Sequence, residues 1–326
     1  MKIVVTDHAF ADLSIEEQVA AAAGAGIVTA PAKDPATLAA AVADADAVIT
    51  QFAPVTADVV AAMRRARVIV RYGIGVDNVD LAAARQRGIP VCNVPDYCID
   101  EVADHTLAFI LALTRQVAPQ SRLVHEGGWK LVGPPDGFRT LAGMTCGVVG
   151  FGRIGRGVVR RLVAFGGRVL VSDPAAPADA IAAAGAHAMP LARLLAESDL
   201  VTLHCPSLPE TKGMIDAATL AAAKRGLLLV NLSRGDLVVP DALVAALDSG
   251  QVAGAALDVF SPEPIPAGHP ILGRPNVILA PHVASVSAAA VHRLRTTAAT
   301  LAVAAIRGAA LPSIVNGVAG SRVIPV

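Results

Sequence analysis

The feature that most constrains the fold of this chain is a glycine-rich turn at mid-chain, in which Gly150, Gly152 and Gly155 follow an apolar run. Gly150 permits a tight turn, Gly152 lets the backbone approach a pyrophosphate, and Gly155 lets a helix pack closely on a strand. A second apolar run ends at Asp173, whose carboxylate can accept hydrogen bonds from the hydroxyls of an adenosine ribose. The pattern predicts a Rossmann dinucleotide site that prefers NAD over NADP.

Short apolar runs alternate with amphipathic helical segments on both sides of this turn. Strands are predicted at 3–6, 27–29, 47–50, 68–71, 91–93, 147–149, 169–171, 200–203, 227–231, 255–258 and 277–279. Ser14 and Glu17 predict a capping box at the start of the first helix, and one long helix is predicted from Ile99 to about Val117. The repetition predicts the α/β class, with two doubly wound parallel-sheet domains and a cleft between them.

Composition argues against several kinds of partner. Lys plus Arg and Asp plus Glu each number 27, so the formal charge is zero and neither nucleic acid nor an acidic membrane is expected as a partner. No apolar run reaches the roughly 18 residues that a spanning helix needs. The start of the chain is typical of a strand and not of a signal peptide. The four cysteines form no CxxC pair, so we expect a cytoplasmic protein with reduced thiols, and no metal site is predicted.

Charged side chains follow three of the predicted strands in the second half of the chain. Arg234 follows the first of them, Asp258 ends the second and precedes Glu263, and His282 follows the third. Ligands of open α/β sheets bind beyond the carboxyl ends of the strands, so these side chains are predicted to lie at the binding edge.

These residue types suit the reduction of a carbonyl group. Hydride transfer leaves an alkoxide that needs a proton, and histidine is a residue type that can both donate and accept one, so His282 is the candidate. Glu263 lies in a loop stiffened by flanking prolines and is the best candidate to orient that imidazole. Arg234 can bind a carboxylate with two parallel hydrogen bonds. Alternatives stay open: a local salt bridge for Arg234, a core position for His282, a surface turn for Glu263 and a strand-end cap for Asp258.

The chain resembles the D-isomer-specific 2-hydroxyacid dehydrogenase family over almost its whole length. The matching segments are 71–80, 147–155, 204–206 with Thr211, 231–236, 256–264 and 281–282, and segments 92–98 and 101–105 look closest to bacterial relatives of the C-terminal binding protein group and to phosphoglycerate dehydrogenases. The resemblance implies a flavodoxin-like substrate domain of residues 1–98 and 286–326. It also implies an inserted Rossmann NAD domain of residues 99–285, and a homodimer built on the NAD domains.

The resemblance implies an NAD-dependent oxidoreductase that interconverts a 2-oxo acid and a D-2-hydroxy acid. By position, Arg234 would bind the 2-oxo acid, and His282, paired with Glu263, would donate the proton. The backbone of Gly73, Ile74 and Gly75 would meet the substrate carboxylate. The cofactor contacts implied are Val102, Gly150, Gly152, Arg153, Ile154, Gly155, Asp173, His204, Cys205, Pro206, Thr211, Leu232, Ser233, Arg234, Asp258, His282 and Ala284, with Asp258 on the nicotinamide amide.

Two departures from the relatives bear on the substrate. Ser285 stands where corepressor members carry tryptophan, and Gln51 and Phe52 stand where phosphoglycerate dehydrogenases carry a phosphate-binding arginine. The sequence is also expected to have no long C-terminal regulatory domain, so 3-phosphoglycerate is disfavoured, and a smaller, uncharged or apolar side chain on the substrate stays open. The side chains expected to select it are Gln51, Phe52, Tyr72, Ile74 and Tyr97. Two alternatives stay open: an NAD(H)-sensing, corepressor-like binding protein, and an enzyme that oxidises a phosphonate or a formate-like acid.

Overall fold

A computed structural model describes residues 1–32 and 34–320 of the chain. The chain divides into two compact units, one made of residues 1–97 with the chain from Ser287 onward, and the other of Cys98–Val286. We call these the first unit and the second unit. The sequence predicts domain junctions at 98/99 and 285/286, and the units divide at 97/98 and 286/287. The substrate and NAD roles of the two domains are taken up below.

Twelve strands form two parallel sheets within the part of the chain that the structure describes. They are β1 (Lys2–Val5), β2 (Gly26–Thr29), β3 (Ala47–Thr50), β4 (Ile69–Arg71), β5 (Val91–Cys92), β6 (Thr145–Val149), β7 (Arg168–Ser172), β8 (His187–Ala188), β9 (Leu200–Leu203), β10 (Leu227–Asn231), β11 (Val252–Leu257) and β12 (Val277–Leu279). The first unit has the order β2-β1-β3-β4-β5, the flavodoxin-like order, and the second has β12-β11-β10-β9-β6-β7-β8, which contains the Rossmann order. The predicted fold class is confirmed.

Helices link most successive strands in both units, although none lies between β11 and β12 among the described residues. They are α1 (Ser14–Ala21), α2 (Pro35–Val42), α3 (Ala57–Ala62), α4 (Leu81–Gln86), α5 (Ile99–Thr114), α6 (Val117–His125), α7 (Arg153–Ala164), α8 (Ala178–Ala183), α9 (Leu191–Glu197), α10 (Ala217–Ala222), α11 (Pro240–Asp248) and α12 (Ala288–Ile306). Helix α12 packs on α1, β3 and β4, so the late part of the chain completes the first unit. Among the described residues, no helix is long and apolar enough to cross a membrane.

The predicted capping box at the start of α1 is wrong. Ser14 is the first residue of the helix itself, Leu13 precedes it, and no side chain caps the end. Asp12 instead accepts hydrogen bonds from the Ser14 N–H at 3.0 Å and the Ser14 hydroxyl at 2.7 Å. A carboxylate two residues before the helix therefore satisfies a backbone donor that the sequence pattern assigned to Ser14.

The long helix predicted from Ile99 to about Val117 is α5, which ends at Thr114, and α6, which begins at Val117, was not predicted from the sequence. The break lies at Gln116, whose φ of 51° is left-handed. Pro119 explains why one continuous helix is disfavoured, since its ring would clash with the carbonyl four residues earlier and it has no N–H to donate. In α6 Pro119 lies in the first turn, where a backbone N–H has no partner within the helix.

The strands of the second unit bring their carboxyl ends to one edge of the sheet. Their central members β9 and β10 are buried at every residue, as expected where helices cover both faces of a parallel sheet. The register pairs Val149 with Leu203, Leu203 with Asn231, and Asn231 with Leu257, and Leu257 in turn with Leu279. The segments that follow these five residues hold the predicted catalytic side chains and all the predicted cofactor contacts except Val102, on α5, and Asp173, after β7.

Candidate active site

The three glycines of the turn between β6 and α7 meet different surroundings. Gly150 has a φ of 99°, and a Cβ on it would lie 2.6 Å from the carbonyl carbon of His204. A Cβ on Gly155 would lie 2.1 Å from the carbonyl oxygen of Gly150, so backbone packing requires glycine at both positions. At Gly152 no atom of the described chain lies within 4 Å of such a carbon. The open position lies at the N-terminus of α7, which suits a pyrophosphate.

Asp173 follows β7 and is fixed beside the glycine turn. Its Oδ2 accepts a hydrogen bond from the Phe151 N–H at 2.7 Å, and its Oδ1 accepts one from the Ala175 N–H at 2.8 Å. The structure thus holds the carboxylate where the acidic residue of a Rossmann site meets a ribose. Its contact with a ribose stays a prediction.

The segment after β9 runs past the glycine turn and carries four of the predicted cofactor contacts. The His204 N–H donates to the Val149 carbonyl at 2.7 Å, and its ring Nε2 lies 2.9 Å from the Thr202 hydroxyl. Burial lowers the pKa of the His204 imidazole to about 3, so this ring is neutral at physiological pH and is not a proton donor. The Thr211 hydroxyl donates to the Pro206 carbonyl at 2.7 Å and closes the segment into a compact loop.

Arg234 is held in a turn that begins at the last residue of β10. The Asn231 amide donates to the Arg234 carbonyl at 2.8 Å, while its oxygen accepts from the Ser233 N–H at 3.0 Å. The Ser233 hydroxyl donates to the Cys205 carbonyl at 2.5 Å, which joins this turn to the segment after β9. The backbone that carries Arg234 is therefore fixed by its neighbours on both sides.

Gly235 is a feature that the sequence reasoning missed. A Cβ on it would lie 1.9 Å from the carbonyl carbon of Phe260, and no backbone tolerates such a contact. The turn after β10 and the turn after β11 consequently touch through a glycine. The only sequence signal is the glycine directly after Arg234, and it does not say which segment approaches.

Glu263 and His282 form a hydrogen-bonded pair at neighbouring strand ends. Glu263 Oε2 lies 2.9 Å from His282 Nδ1, and Glu263 Oε1 accepts from the Phe260 N–H at 2.8 Å. Burial acts to raise the pKa of the Glu263 carboxyl, but the hydrogen bonds from His282 and Phe260, with Arg234 nearby, outweigh it. The pKa of Glu263 therefore lies below its ordinary value, and the group is a carboxylate at neutral pH.

Asp258 anchors the backbone of His282. It is buried, and its two carboxylate oxygens accept hydrogen bonds from the N–H groups of Val283 and Ala284 at 2.8 and 2.9 Å. The His282 N–H donates to the Asp258 carbonyl at 2.8 Å, and His282 itself has a left-handed φ of 55°. A non-glycine residue adopts that conformation only where its surroundings impose it. The strand-end cap considered for Asp258 is observed, and its predicted contact with a nicotinamide amide stays a prediction.

The predicted carboxylate-binding segment of the first unit follows β4. Gly73 has a φ of 147°, and a Cβ on it would lie 1.5 Å from a guanidinium nitrogen of Arg71. The carbonyls of Gly73 and Ile74 accept from the Val94 N–H at 2.9 Å and the Asn93 amide at 2.7 Å. Among the described residues, no hydrogen bond engages the N–H groups of Ile74 and Gly75. These two donors suit a carboxylate.

Comparison with known proteins identifies the family. The family model "D-isomer specific 2-hydroxyacid dehydrogenase, NAD binding domain" matches residues 107–284, more than half of the chain. The chain belongs to the D-isomer specific 2-hydroxyacid dehydrogenase family. The predicted membership, the oxidoreductase class and NAD as the cofactor are confirmed, and the residues that match the NAD-binding domain, 107–284, lie within the second unit of this dehydrogenase.

Individual relatives of this dehydrogenase differ in the reaction that their names describe. A glyoxylate reductase of Korarchaeum cryptofilum (strain OPF8) is 41% identical over 279 residues, covering 84% of each chain. A D-3-phosphoglycerate dehydrogenase of Mycobacterium leprae (strain TN) is 40% identical over 297 residues, and these cover 90% of this chain but 56% of the relative. The structure of D-lactate dehydrogenase from Aquifex aeolicus, complexed with NAD and lactic acid, has a TM-score of 0.84 and 28% identity, with 94% and 96% of the two chains covered.

The other predicted cofactor contacts of this dehydrogenase lie in the second unit. Arg153 and Ile154 open α7, directly after the glycine turn, while Val102, Leu232 and Ala284 are buried. Buried apolar side chains can line a nucleotide-binding pocket, and backbone atoms of the same residues can form hydrogen bonds with polar groups of the nucleotide.

One of the expectations about substrate selection changes with the structure, and a second is kept. Tyr72 is 1% exposed and donates its hydroxyl to Glu16, so it is removed from the residues that touch a substrate side chain. Phe52, in contrast, is 58% exposed after β3, and Asp7 accepts from its N–H at 2.6 Å. An aromatic side chain held out from a fixed backbone suits contact with an apolar group.

Proposed function

We propose that this chain interconverts a small 2-oxo acid and the matching D-2-hydroxy acid with NAD. The observation that carries the proposal is the Glu263–His282 pair, whose atoms lie 2.9 Å apart in a unit that also holds a fitting dinucleotide turn. NADH supplies the hydride when bound. The chain's own residues then have to bind the acid, orient its carbonyl and supply one proton.

We propose that His282 supplies that proton from Nε2, since Nδ1 is occupied by Glu263. Glu263, with its lowered pKa, stays ionised and fixes the orientation and the tautomer of the imidazole ring. Arg234 binds the acid and polarises its carbonyl group. In the reverse reaction the same imidazole accepts the hydroxyl proton.

For the substrate carboxylate we propose the backbone donors of the segment Gly73–Gly75. Their support is the pair of N–H groups on Ile74 and Gly75 described above. Phe52, which stands where a phosphate-binding arginine would favour 3-phosphoglycerate, supports a small acid with an uncharged or apolar side chain. Residues 1–98 and 286–326 would then be the substrate domain, and 99–285 the NAD domain.

We also propose a homodimer and a cytoplasmic location. The support for the dimer is an apolar surface of the second unit that lies along and beyond α6, no residue of which is buried. Its exposed members are Val117, Val124, Trp129 and Leu131, and Trp129 is 91% exposed. Large exposed apolar surfaces of this kind mark protein interfaces. The four cysteines are free thiols, which supports a reducing compartment.

The test follows NADH absorbance with purified protein against glyoxylate, hydroxypyruvate, pyruvate, 2-oxobutyrate, oxaloacetate, phenylpyruvate and 3-phosphohydroxypyruvate. We expect NADH oxidation with one or more of the acids whose side chain carries no charge, and we expect the reverse assay to accept the D-hydroxy acid and not its L-isomer. Oxidation with none of them, while NADH still binds tightly, would refute the proposal and favour the NAD(H)-sensing alternative.

A further inference from the structure

The first unit contains a buried ion pair that the proposed reaction does not use. Glu16 on α1 is completely buried, and Arg295 on α12 is 7% exposed. Arg295 Nε donates to Glu16 Oε1 at 2.9 Å, and its Nη2 donates to Glu16 Oε2 at 2.7 Å. Arg295 Nη2 also donates to the Asp12 carbonyl at 2.8 Å. The guanidinium and the carboxylate face each other in the bidentate geometry that fixes both planes.

Tyr72 is the third member of this group. Its hydroxyl donates to Glu16 Oε1 at 2.9 Å, in a position from which solvent is excluded. Phe10 packs on both neighbours, with its ring edge to face against Tyr72 at 5.2 Å and 5.0 Å from the Arg295 guanidinium. The tyrosine ring is therefore fixed at its tip by a hydrogen bond and along its side by an aromatic contact.

Tyr72 directly precedes the predicted carboxylate-binding segment. Its own N–H donates to the Thr50 carbonyl at 2.8 Å, so β3 holds the start of the turn. The next residue, Gly73, leaves the strand with a φ of 147°. Tyr72 is thus held at its hydroxyl by Glu16 and at its N–H by Thr50, directly before the peptide that leads to the donors of Ile74 and Gly75.

A contribution to stability does not by itself account for the buried group of Glu16, Arg295 and Tyr72. Removing two charges from water offsets most of their attraction, and apolar residues of similar volume often stabilise a core as well or better. A fully hydrogen-bonded buried network, in contrast, holds its members in one geometry. A group that defines geometry is expected next to a segment whose backbone must be placed accurately, and Gly73–Gly75 is such a segment in the proposed function.

We propose that Tyr72, Glu16 and Arg295 are positioning residues that hold the backbone of Gly73–Gly75 for the substrate carboxylate. The inference rests on the proposed function, in which that backbone binds the acid. Tyr72 touches neither substrate nor cofactor in this assignment and acts through the segment that follows it.

The first experiment compares the wild type with Tyr72→Phe, which removes one hydroxyl and leaves the Glu16–Arg295 pair intact. Amide hydrogen exchange of residues 73–76 is measured without any substrate, and steady-state kinetics and the Kd for NADH are measured alongside. We expect faster exchange in this segment and a KM for the 2-oxo acid raised about 10-fold, because small displacements of a binding group are costly. kcat within about 2-fold of the wild type and an unchanged Kd for NADH are expected.

The matched control is Leu38→Ala, which opens a cavity in a buried part of the same unit, on α2. It is expected to lower thermal stability at least as much as Tyr72→Phe while leaving the KM unchanged. Glu16→Gln keeps an acceptor for the tyrosine hydroxyl and is expected to show a smaller change in exchange at 73–76 than Glu16→Ala.

Three outcomes would overturn the inference. One is unchanged exchange at residues 73–76 in Tyr72→Phe, another is faster exchange with no change in KM, and the third is a KM rise of equal size in Leu38→Ala. The exchange result also separates this inference from the proposed function. If none of the tested 2-oxo acids supports NADH oxidation by the wild type, the proposed function is refuted. Amide hydrogen exchange at residues 73–76 still reports whether Tyr72, Glu16 and Arg295 hold that segment.

Discussion

Two glutamates that are each bonded to a basic side chain, one in each unit of the protein, lie in opposite surroundings. The exposed pair of the second unit, Glu263 with His282, has side chains that are 36% and 37% exposed. The buried pair of the first unit, Glu16 with Arg295, has side chains that are 0% and 9% exposed. Both pairs are short, at 2.9 and 2.7 Å, so distance does not distinguish them.

The comparison teaches that solvent access decides what a carboxylate pair can do. The exposed pair can exchange protons with a reactant, and surface pairs of this kind contribute about 0–1 kcal/mol to stability. Arginine stays protonated throughout the physiological range, so the buried pair transfers no proton, but removing one partner would leave an uncompensated charge. One pair is suited to chemistry and the other to geometry.

The largest effect is expected from His282→Ala, which removes the proposed proton donor. kcat should fall by about 10³-fold, since proton transfer by a positioned side chain contributes about 10²–10⁴-fold. The Kd for NADH and the midpoint of urea unfolding should stay close to the wild type. Stopped-flow turnover and fluorescence titration measure the two quantities, and full activity in this variant would remove His282 from its role.

Arg295→Met, unlike His282→Ala, should mainly lower the stability of the protein. Leaving Glu16 buried without its partner is expected to lower the free energy of unfolding by about 3–5 kcal/mol. Urea unfolding followed by circular dichroism measures it. The matched control is Glu263→Gln, which should change the same quantity by less than about 1 kcal/mol because the pair is exposed. Equal losses in the two variants would break the distinction between the pairs.

A smaller effect is expected from the charge on Glu263. Glu263→Gln keeps a hydrogen-bonding group beside the imidazole and should lower kcat by about 10–100-fold, less than His282→Ala. In the wild type the lowered pKa of Glu263 keeps the carboxylate ionised as the pH falls through the ordinary glutamate value of about 4.3. Activity that depends on this charge should be lost only below that pH.

The pH profile of kcat from about pH 3 to 8 checks this expectation. The acid limb should be present in the wild type and absent in Glu263→Gln, with circular dichroism showing which points belong to folded protein. An acid limb that is the same in both proteins would mean that Glu263 is not the titrating group.

The smallest effect concerns salt. Raising NaCl from about 0.05 to about 0.5 M shortens the Debye length from about 14 to about 4 Å and screens exposed charges most. The apparent pKa of the acid limb should therefore rise towards the ordinary glutamate value. The stability difference between the wild type and Arg295→Met should change by less than about 0.5 kcal/mol. A strong salt dependence of that difference would show that solvent reaches the buried pair.

The exposed pair could be predicted from the sequence, and the buried pair could not. Glu263 and His282 lie 19 residues apart at consecutive strand ends, so the strand pattern and the general rule for ligand sites were enough to pair them. Glu16 and Arg295 are separated by 279 positions, and each lies on an amphipathic helix, where a charge usually indicates a solvated face. Nothing local distinguishes them from their exposed neighbours.

The errors in the predicted elements also have physical causes. The capping box failed because Asp12 competes for the backbone donor that the pattern assigned to Ser14. The predicted end of α5, at about Val117, is a few residues late, and α6 was not predicted because the residues after Val117 were interpreted as a connection to the glycine turn. The close approach of Gly235 to Phe260 depends on how two turns fold over each other, which spacing along the chain does not encode.

The placement of α12 in the first unit has a consequence for synthesis on the ribosome. The second unit is complete once residue 286 has been made, whereas Glu16 waits for a partner that follows it by 279 residues. We expect the nascent chain to form its nucleotide-binding part first and to leave the earlier strands open until Arg295 emerges. The part of the protein that is translated first is thus the last to become native.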